Sequence, residues 1–175
     1  MKISILDYKV GNITSIMNML AIFKNVKVKL TNDPKIILNS DKLILPGVGA
    51  FGNAMNKIID SNLNEVIYDY VKTGNSLLGI CLGMQLLMDS SEEFGHFKGL
   101  SLIPGSVKKI SKNSKIRLPN IGYYKLNINN RSPLKKCSKY WYYFIHSFHC
   151  IPKEKSDIES TISFNKKIIV SSVSK

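Results

Sequence analysis

Cys81 lies in the stretch best suited to chemistry, Leu78-Gly79-Ile80-Cys81-Leu82-Gly83-Met84-Gln85. A hydrophobic run leads into Gly-x-Cys-x-Gly and then into a short helical segment, which is the pattern of a nucleophile elbow built around a cysteine. Glycines two residues before and after the cysteine leave room for a strained turn and for a substrate. Unpaired amides at the helix start would favour the thiolate, and the Leu82 N–H is a candidate oxyanion donor. A small buried cysteine between two packing glycines is the alternative.

A second candidate loop is Leu45-Pro46-Gly47-Val48-Gly49-Ala50-Phe51, directly after a predicted buried strand. In a parallel sheet this loop opens at the same carboxyl edge as Cys81, where α/β proteins form their sites. Proline and two glycines leave backbone N–H groups uncovered for a second oxyanion contact. Alone, the stretch favours a plain tight turn, but two such loops at one edge favour a nucleophilic site.

The elements that must position these loops follow from hydrophobic periodicity. In the first half, short apolar runs alternate with stretches of helical period, which indicates a mostly parallel sheet covered by helices. The second half has short strand-like runs broken by turn residues, which predicts largely antiparallel strands. Strands are predicted at 2–6, 26–30, 43–45, 76–80, 100–103, 107–110, 123–128, 140–146, 158–164 and 168–173, and helices at 13–23, from Asp33-Pro34 onward, and as one long helix over 58–71.

Length and composition predict an ordinary globular α/β protein. The chain has 175 residues, of which 44% are hydrophobic and 21% charged. It contains no internal repeat or low-complexity linker, so residues 1–175 are expected to form a single domain. No stretch is long and apolar enough for a membrane span, and no signal peptide is recognisable. Three cysteines without CxxC spacing predict neither a disulfide framework nor a metal site, and they favour a cytoplasmic protein.

The net charge of +13 is unevenly distributed. Residues 1–97 have 9 cationic and 9 acidic side chains, whereas residues 98–175 have 16 and 3. All but two of the 25 cationic side chains are lysines. Proteins that recognise nucleic acids favour the bidentate guanidinium of arginine, so no nucleic-acid partner is expected. The basic half reflects either a general richness in Lys, Asn and Ile or a face for an anionic substrate or partner.

Four stretches together show a family resemblance. They are Asp7-Tyr8 with Gly11-Asn12, LPGVGAF at 45–51, GICLGMQLL at 79–87, and the run from Tyr143 to Phe148. In this order they resemble the class I (triad) glutamine amidotransferases, and most closely the glutaminase subunits of imidazole glycerol phosphate synthase. The resemblance implies a class I amidotransferase-like α/β fold, hydrolysis of glutamine to glutamate and ammonia, no cofactor, and a cyclase partner with a HisF-like TIM barrel in a heterodimer.

The resemblance also assigns roles to residues. It makes Cys81 the nucleophile that forms a glutamyl thioester, and it places the amides of Val48, Gly49 and Leu82 around the oxyanion. The residues expected to bind glutamine are Gln85, Glu93, His146, Ser147 and Phe148, with Glu93 pairing with the α-ammonium group. The residues expected at the partner interface are Tyr8, Asn12, Tyr123 and Tyr143. From the residues alone, Glu93 would be a solvated helix end, and His146 would be packed or exposed.

Two departures from the family pattern leave alternatives open. The family takes its catalytic histidine and glutamate from a Gln-Phe-His-Pro-Glu stretch that these 175 residues do not contain. The chain is therefore expected to be a C-terminally truncated domain and a poor glutaminase, because none of His96, His146 and His149 is expected to replace the missing base. A vestigial, non-catalytic binding subunit is one alternative.

The second departure concerns the partner. The family tends to have Pro-His-Met-Gly-Trp-Asn where this chain has residues 119–124, Pro-Asn-Ile-Gly-Tyr-Tyr, and it usually has glycine at Lys9. In the family both places lie near the docking surface for the cyclase. An amidotransferase that feeds ammonia to a sugar-modifying synthase for surface polysaccharide is therefore the other alternative.

Overall fold

The computed structural model describes residues 1–111, 117–129 and 132–175, which form two compact units, 1–87 and 88–175. That all 175 residues make a single domain stays a prediction. The first unit contains, in chain order, β1 (Lys2–Leu6), α1 (Ile13–Leu20), β2 (Lys27–Thr31), α2 (Pro34–Leu38), β3 (Lys42–Leu45), α3 (Phe51–Asp60), α4 (Leu63–Lys72), β4 (Ser76–Gly79) and α5 (Leu82–Leu86).

The first unit is built on a four-stranded sheet in the order β2-β1-β3-β4, and all three strand pairings are parallel. Its two central strands, β1 and β3, are short and rich in Ile and Leu because the middle of a parallel sheet buries side chains on both faces. Ile3, Ile5 and Ile44 form one buried cluster, against which the inward face of α1 packs. Parallel pairing brings the loops after β1, β3 and β4 to the same edge of this sheet.

The helical segment predicted over 58–71 is two helices rather than one, so that prediction is wrong. α3 ends at Asp60 and α4 begins at Leu63, with Asn62 between them at φ 53°. Asparagine tolerates this left-handed conformation better than most residues, and it breaks the helix even though the apolar period continues through it. The two helices pack against each other, with Ile58, Leu63, Ile67 and Tyr70 buried.

The second unit is largely antiparallel, as predicted. It contains β5 (Ser90–Ser91), β6 (Phe97–Lys98), β7 (Gly105–Lys109), β8 (Asn120–Lys125), β9 (Asn127–Ile128), β10 (Trp141–His146), β11 (Phe148–Pro152), β12 (Ile158–Phe164) and β13 (Lys167–Val173), with short 3₁₀ turns at Pro133–Cys137 and Lys155–Asp157. Its sheets have the strand orders β10-β8, β11-β7-β5-β6 and β13-β12-β9, in which only β5 and β7 run parallel. A buried cluster of Ile110, Ile162, Phe164 and Ile169 packs against Tyr124 and Phe144.

Two strand predictions in this unit need correction. The run at 100–103 is a loop, in which Ser101 has φ 51° and Leu100 and Ile103 are buried without forming a strand. The run at 123–128 is divided at Leu126 into β8 and β9, which belong to different sheets. β11 was not predicted, although it follows β10 after a single residue, Ser147.

Candidate active site

Cys81 lies on a sharp turn between β4 and α5, with φ 55° and ψ −113°. A non-glycine residue in a sparsely populated backbone region costs about 1–3 kcal/mol and persists only where the surroundings enforce it. Cys81 is exposed as a residue, although protein atoms surround much of its thiol group. The strand, the strained turn and the helix therefore lie where Gly-x-Cys-x-Gly predicts a nucleophile elbow.

The two glycines of the motif are required by close backbone contacts. A Cβ on Gly79 would lie 2.6 Å from the Gly83 carbonyl oxygen, and one on Gly83 would lie 1.9 Å from the Leu45 carbonyl oxygen. Both distances are shorter than real Cβ contacts, so α5 can fold back onto β4 and the end of β3 only where these side chains are absent. The turn at Cys81 is thus enforced by packing.

The Pro46–Gly49 loop lies directly beside the elbow, because β3 and β4 pair in parallel with Leu45 opposite Gly79. The Ile80 N–H donates to the Leu45 carbonyl at 3.0 Å. A Cβ on Gly47 would lie 2.9 Å from Leu82 Cβ, so the two loops are in contact. The structure brings both predicted loops to one sheet edge.

The amides of Val48 and Gly49 occupy the outer part of this loop. Both residues are exposed, and Gly49 has φ +96° with nothing within 4 Å of a Cβ placed on it. In the part of the chain that the structure describes, neither amide donates to another backbone carbonyl. Uncovered N–H groups beside an exposed thiol can stabilise negative charge that develops during attack on a carbonyl.

Two opposing effects act on the pKa of the Cys81 thiol. Burial by surrounding protein atoms raises the pKa, and a hydrogen bond from the Leu82 backbone N–H lowers it, with burial the stronger. The sequence predicts a lowered pKa instead, because the start of a helix is expected to favour the thiolate. α5 has only five residues, so its dipole is weak, and desolvation decides the net direction.

The remaining predicted residue of the first unit is Gln85. It lies on α5, is half-buried, and its backbone N–H donates to the Cys81 carbonyl at 3.2 Å. This hydrogen bond forms the first turn of α5, so Gln85 follows the nucleophile by one helical turn.

Glu93, predicted to bind the α-ammonium group, belongs to the second unit and begins the turn between β5 and β6. Its backbone N–H donates to Ser91 Oγ at 3.1 Å, and the residue is half-buried rather than on a solvated helix end. Its neighbour Glu92 forms an ion pair with Lys108 at 3.4 Å, with both side chains about half exposed. Such pairs contribute little to stability, so the turn owes its shape to backbone contacts.

His146 is held by hydrogen bonds at both ring nitrogens. The buried Asn120 amide nitrogen lies 3.0 Å from Nε2, and the Phe148 carbonyl oxygen lies 2.8 Å from Nδ1. Asn120 Oδ1 accepts from the Tyr124 hydroxyl at 2.7 Å, which fixes the amide with its NH₂ group toward His146. His146 therefore accepts at Nε2 and donates from Nδ1 as a neutral imidazole, and burial lowers its pKa.

The segment after His146 is fixed from two sides. The Ser147 carbonyl accepts from the Ile110 N–H at 2.9 Å, and the Phe148 carbonyl accepts from His146. The Phe148 ring lies 6.5 Å from the ring of Phe94, the residue after Glu93. Contacts within the second unit therefore bring the predicted glutamine-binding segment near the turn that contains Glu93.

The other two histidines have different surroundings. Burial lowers the pKa of His149, the proximity of His146 lowers it further, and its Nδ1 is buried without a hydrogen-bond partner among the described residues. His96 is exposed in the turn before β6. Since His146 already uses both nitrogens, its contacts favour the expectation that it is not a spare proton acceptor.

The four predicted interface residues have unequal exposure. Tyr8 is only 2% exposed, and its hydroxyl donates to the Pro46 carbonyl, so its side chain lies in the interior of the first unit. Asn12 is exposed and caps α1 by accepting from the Ser15 N–H at 3.4 Å. Tyr123 and Tyr143 face each other across β8 and β10 with ring centroids 5.3 Å apart. Their roles at an interface stay predictions.

The two tyrosines of the second unit belong to a larger exposed face, called here the aromatic face: Ile121, Tyr123, Lys125, Trp141, Tyr143 and Ile145. The five apolar members are 53–66% exposed, and the Lys125 ammonium lies 5.4 Å from the centre of the Trp141 ring. Alternation along β8 and β10 turns these side chains outward, while Tyr124 and Phe144 turn inward onto the core. The alternation of residues along each strand could have predicted this exposed face, but only Tyr123 and Tyr143 were predicted to belong to an interface.

Two features are absent from residues 1–111, 117–129 and 132–175, namely a cluster of metal ligands and a helix able to span a membrane. No three His, Cys, Asp or Glu side chains of these segments lie together as ligands for a metal ion. None of the helices described has the length and apolar character needed to span a bilayer.

Comparison with known proteins identifies relatives over almost the whole chain. The family model for glutamine amidotransferase class-I matches residues 4–174. Imidazole glycerol phosphate synthase subunit HisH of Prochlorococcus marinus is 40% identical over 177 residues, covering 99% of this chain and 81% of that protein. HisH of Wolinella succinogenes is 37% identical over 161 residues, covering 89% and 78%.

Solved structures agree on the fold. A glutamine amidotransferase crystal structure superposes with a TM-score of 0.70 at 14% identity, covering 96% of this chain and 87% of that one. The structure of PurLQS from Thermotoga maritima gives a TM-score of 0.63 at 15% identity, covering 96% and 76%. The predicted α/β fold of the class I amidotransferases is confirmed, and the chain belongs to the class I glutamine amidotransferase family and, within it, to the HisH subunits of imidazole glycerol phosphate synthase.

Proposed function

We propose that this chain is a glutaminase subunit that supplies ammonia for histidine biosynthesis in the cytoplasm. The observation that supports this most is Cys81 on an enforced turn, beside the uncovered amides of Val48 and Gly49. The Cys81 sulfur attacks the side-chain amide carbon of glutamine, and the three amides of Val48, Gly49 and Leu82 receive the oxyanion. The carbon–nitrogen bond then breaks, and ammonia leaves with the proton that the thiol lost. Water hydrolyses the thioester to glutamate and restores the thiol.

Substrate recognition is assigned to the residues that resemble the family's glutamine site. Glu93 supplies a carboxylate for the α-ammonium group, and the segment from His146 to Phe148 supplies backbone groups for the substrate. The hydrogen bonds at both nitrogens of His146 support this assignment, because they hold the segment in one conformation. Gln85 completes the set from α5.

The partner is a cyclase subunit with a HisF-like barrel, in a heterodimer. The relatives named above are subunits of imidazole glycerol phosphate synthase, which favours this acceptor over a sugar-modifying synthase. The aromatic face supports a docking role, because contiguous exposed apolar side chains mark interaction surfaces. Asn12, Tyr123 and Tyr143 are the interface residues to test, and Tyr8 is placed there only by resemblance.

One experiment tests the chemistry. The protein is incubated with an electrophilic glutamine analogue, labelled residues are identified by mass spectrometry, and ammonia release from glutamine is measured with and without the cyclase. Labelling of Cys81 that glutamine competes is expected, together with slow turnover, because none of His96, His146 and His149 is expected to act as the base. Cys81→Ser should abolish both, and Cys137→Ser, a half-buried thiol of the second unit, should change neither. Labelling without turnover would favour a non-catalytic binding subunit, and no labelling of Cys81 would refute the proposal.

A second experiment tests the docking surface. Tyr143→Ala removes a side chain from the centre of the aromatic face and should raise the Kd for the cyclase roughly tenfold or more, as for aromatic residues at interface centres. Ile168→Ala is the matched control, because Ile168 is 77% exposed on β13, in another sheet of the same unit. Equal effects of the two substitutions in a calorimetric titration would show that the aromatic face is not the docking surface.

A further inference from the structure

Tyr8 makes a contact that the predicted interface role does not use. The residue follows β1 directly and is 2% exposed, and its hydroxyl donates to the Pro46 carbonyl at 2.5 Å. The phenol oxygen also lies against the next residue, since a Cβ on Gly47 would be 2.9 Å from it. A buried side chain therefore reaches across from the end of β1 to the first peptide of the loop after β3.

The peptide between Pro46 and Gly47 lies between the Tyr8 hydroxyl and the backbone of the elbow. The Tyr8 hydroxyl binds its carbonyl oxygen, and that same oxygen would be 3.2 Å from a Cβ on Gly83, in the elbow. The ring of Pro46 fixes the φ of that residue, so the orientation of this peptide is the first backbone rotation in the loop that remains free. Rotation of that peptide would carry the amides of Val48 and Gly49 with it.

The phenol is suited to act as a permanent donor. Burial raises the pKa of Tyr8 well above its ordinary value, and the nearby Cys81 raises it further. The hydroxyl therefore stays protonated throughout the pH range in which a thiolate nucleophile operates. Its partner carbonyl accepts from no other described backbone amide, so loss of the phenol oxygen would leave a buried oxygen without this partner.

We propose that Tyr8 is a positioning residue for oxyanion stabilisation, which sets the Val48 and Gly49 amides against Cys81 through the Pro46 carbonyl. This inference rests on the proposed glutaminase function and extends it to a residue that does not touch the substrate. It also gives Tyr8 a role inside the subunit in place of one at the partner interface.

Tyr8→Phe tests the inference, since it removes only the hydroxyl. Two reagents are compared on the whole protein. In a chloromethyl ketone analogue of glutamine, the thiolate adds to the ketone carbon to give an oxyanion. The sulfur then displaces chloride from the neighbouring carbon, and its bond to the former ketone carbon breaks as the carbon–oxygen double bond re-forms. Iodoacetamide reacts by direct displacement of iodide and forms no oxyanion. The rate constant for the chloromethyl ketone divided by that for iodoacetamide, both at Cys81, therefore measures oxyanion stabilisation. Changes in the exposure or pKa of the thiol affect both reagents and cancel in this ratio.

Tyr8→Phe is expected to lower this ratio roughly tenfold, the effect of losing one hydrogen bond to a buried partner. Tyr70→Phe is the matched control, because the Tyr70 hydroxyl is also buried and donates to a backbone carbonyl, that of Ser40, at 3.4 Å. That variant should leave the ratio unchanged. If Tyr8→Phe does not fold, Gly47→Ala is the second variant: its methyl would lie 2.9 Å from both the phenol oxygen and Leu82 Cβ, and it should lower the ratio in the same direction.

An unchanged ratio in a folded Tyr8→Phe, or an equal fall in Tyr70→Phe, would overturn the inference. These outcomes differ from failure of the proposed function, in which the wild-type protein itself would show no reaction of Cys81 with the ketone that glutamine competes. A partner-interface role for Tyr8 would instead appear as a weaker Kd for the cyclase with an unchanged ratio.

Discussion

Gly83→Ala should destabilise the chain, although helix propensity predicts the reverse. Gly83 lies inside α5, where alanine is normally favoured over glycine by about 1 kcal/mol. The added methyl would, however, lie 1.9 Å from the Leu45 carbonyl oxygen and 2.8 Å from its carbon. That oxygen already accepts from the Ile80 N–H at 3.0 Å, so it cannot move without loosening β4. Either α5 or the end of β3 must shift by about 1.5 Å to restore a normal contact.

The magnitude follows from these contacts. Overpacking of a well-packed site costs about 1–3 kcal/mol, and weakening of the Ile80 hydrogen bond adds about 1 kcal/mol. The steric cost and the weakened hydrogen bond together exceed the propensity gain, so the free energy of unfolding should fall by about 1–3 kcal/mol. Urea unfolding followed by circular dichroism measures this change, and reaction of Cys81 with the glutamine analogue should slow because the elbow is displaced.

Gly74→Ala is the matched control for this experiment. Gly74 also ends a helical segment, has φ +79°, and has nothing within 4 Å of an added Cβ. Alanine there meets only backbone strain, of about 1 kcal/mol, and Cys81 should react as in the wild type. A Gly83→Ala protein no less stable than Gly74→Ala, with unchanged Cys81 reactivity, would refute the claim that close packing enforces the elbow.

Three further predictions concern titration and the buried network. Alkylation of Cys81 by iodoacetamide should reach half its maximal rate at a higher pH than alkylation of a cysteine peptide, because burial raises the thiol pKa; a lower midpoint would contradict this. His146 should titrate below a free histidine in NMR spectra, and stability gained from the neutral ring should be lost as the pH falls through the lowered pKa. Asn120→Asp should raise the His146 pKa, since a carboxylate would face Nε2; an unchanged titration would show that the Asn120 contact does not form in solution.

Local periodicity accounts for the parts of the fold that were predicted well. β1 and β12 occupy the predicted residues because their side chains alternate or form short apolar runs between clear turn signals. The break between α3 and α4 was missed because apolar residues keep helical spacing on both sides of Asn62, and only its backbone conformation interrupts the helix.

The candidate site was also predicted only in part. The positions of Cys81 and the Pro46–Gly49 loop followed from sequence, because a parallel sheet places both at one edge. The state of His146 did not follow, since its partner Asn120 is 26 residues away and belongs to a strand whose pairing was unknown. The thiol pKa was predicted in the wrong direction because helix length and local burial decide it.

The contacts at Gly79 and Gly83 bear on how such chains are recognised in genomes. Both positions must be glycine because a side chain there would collide with backbone atoms of neighbouring segments, and neither collision involves the Cys81 sulfur. A descendant that had lost its reactive thiol would still be selected to retain the flanking glycines, simply to stay folded. Genome surveys that score the whole Gly-x-Cys-x-Gly motif would therefore count paralogues without the thiol as active enzymes. Within the motif, only the cysteine position distinguishes the two groups.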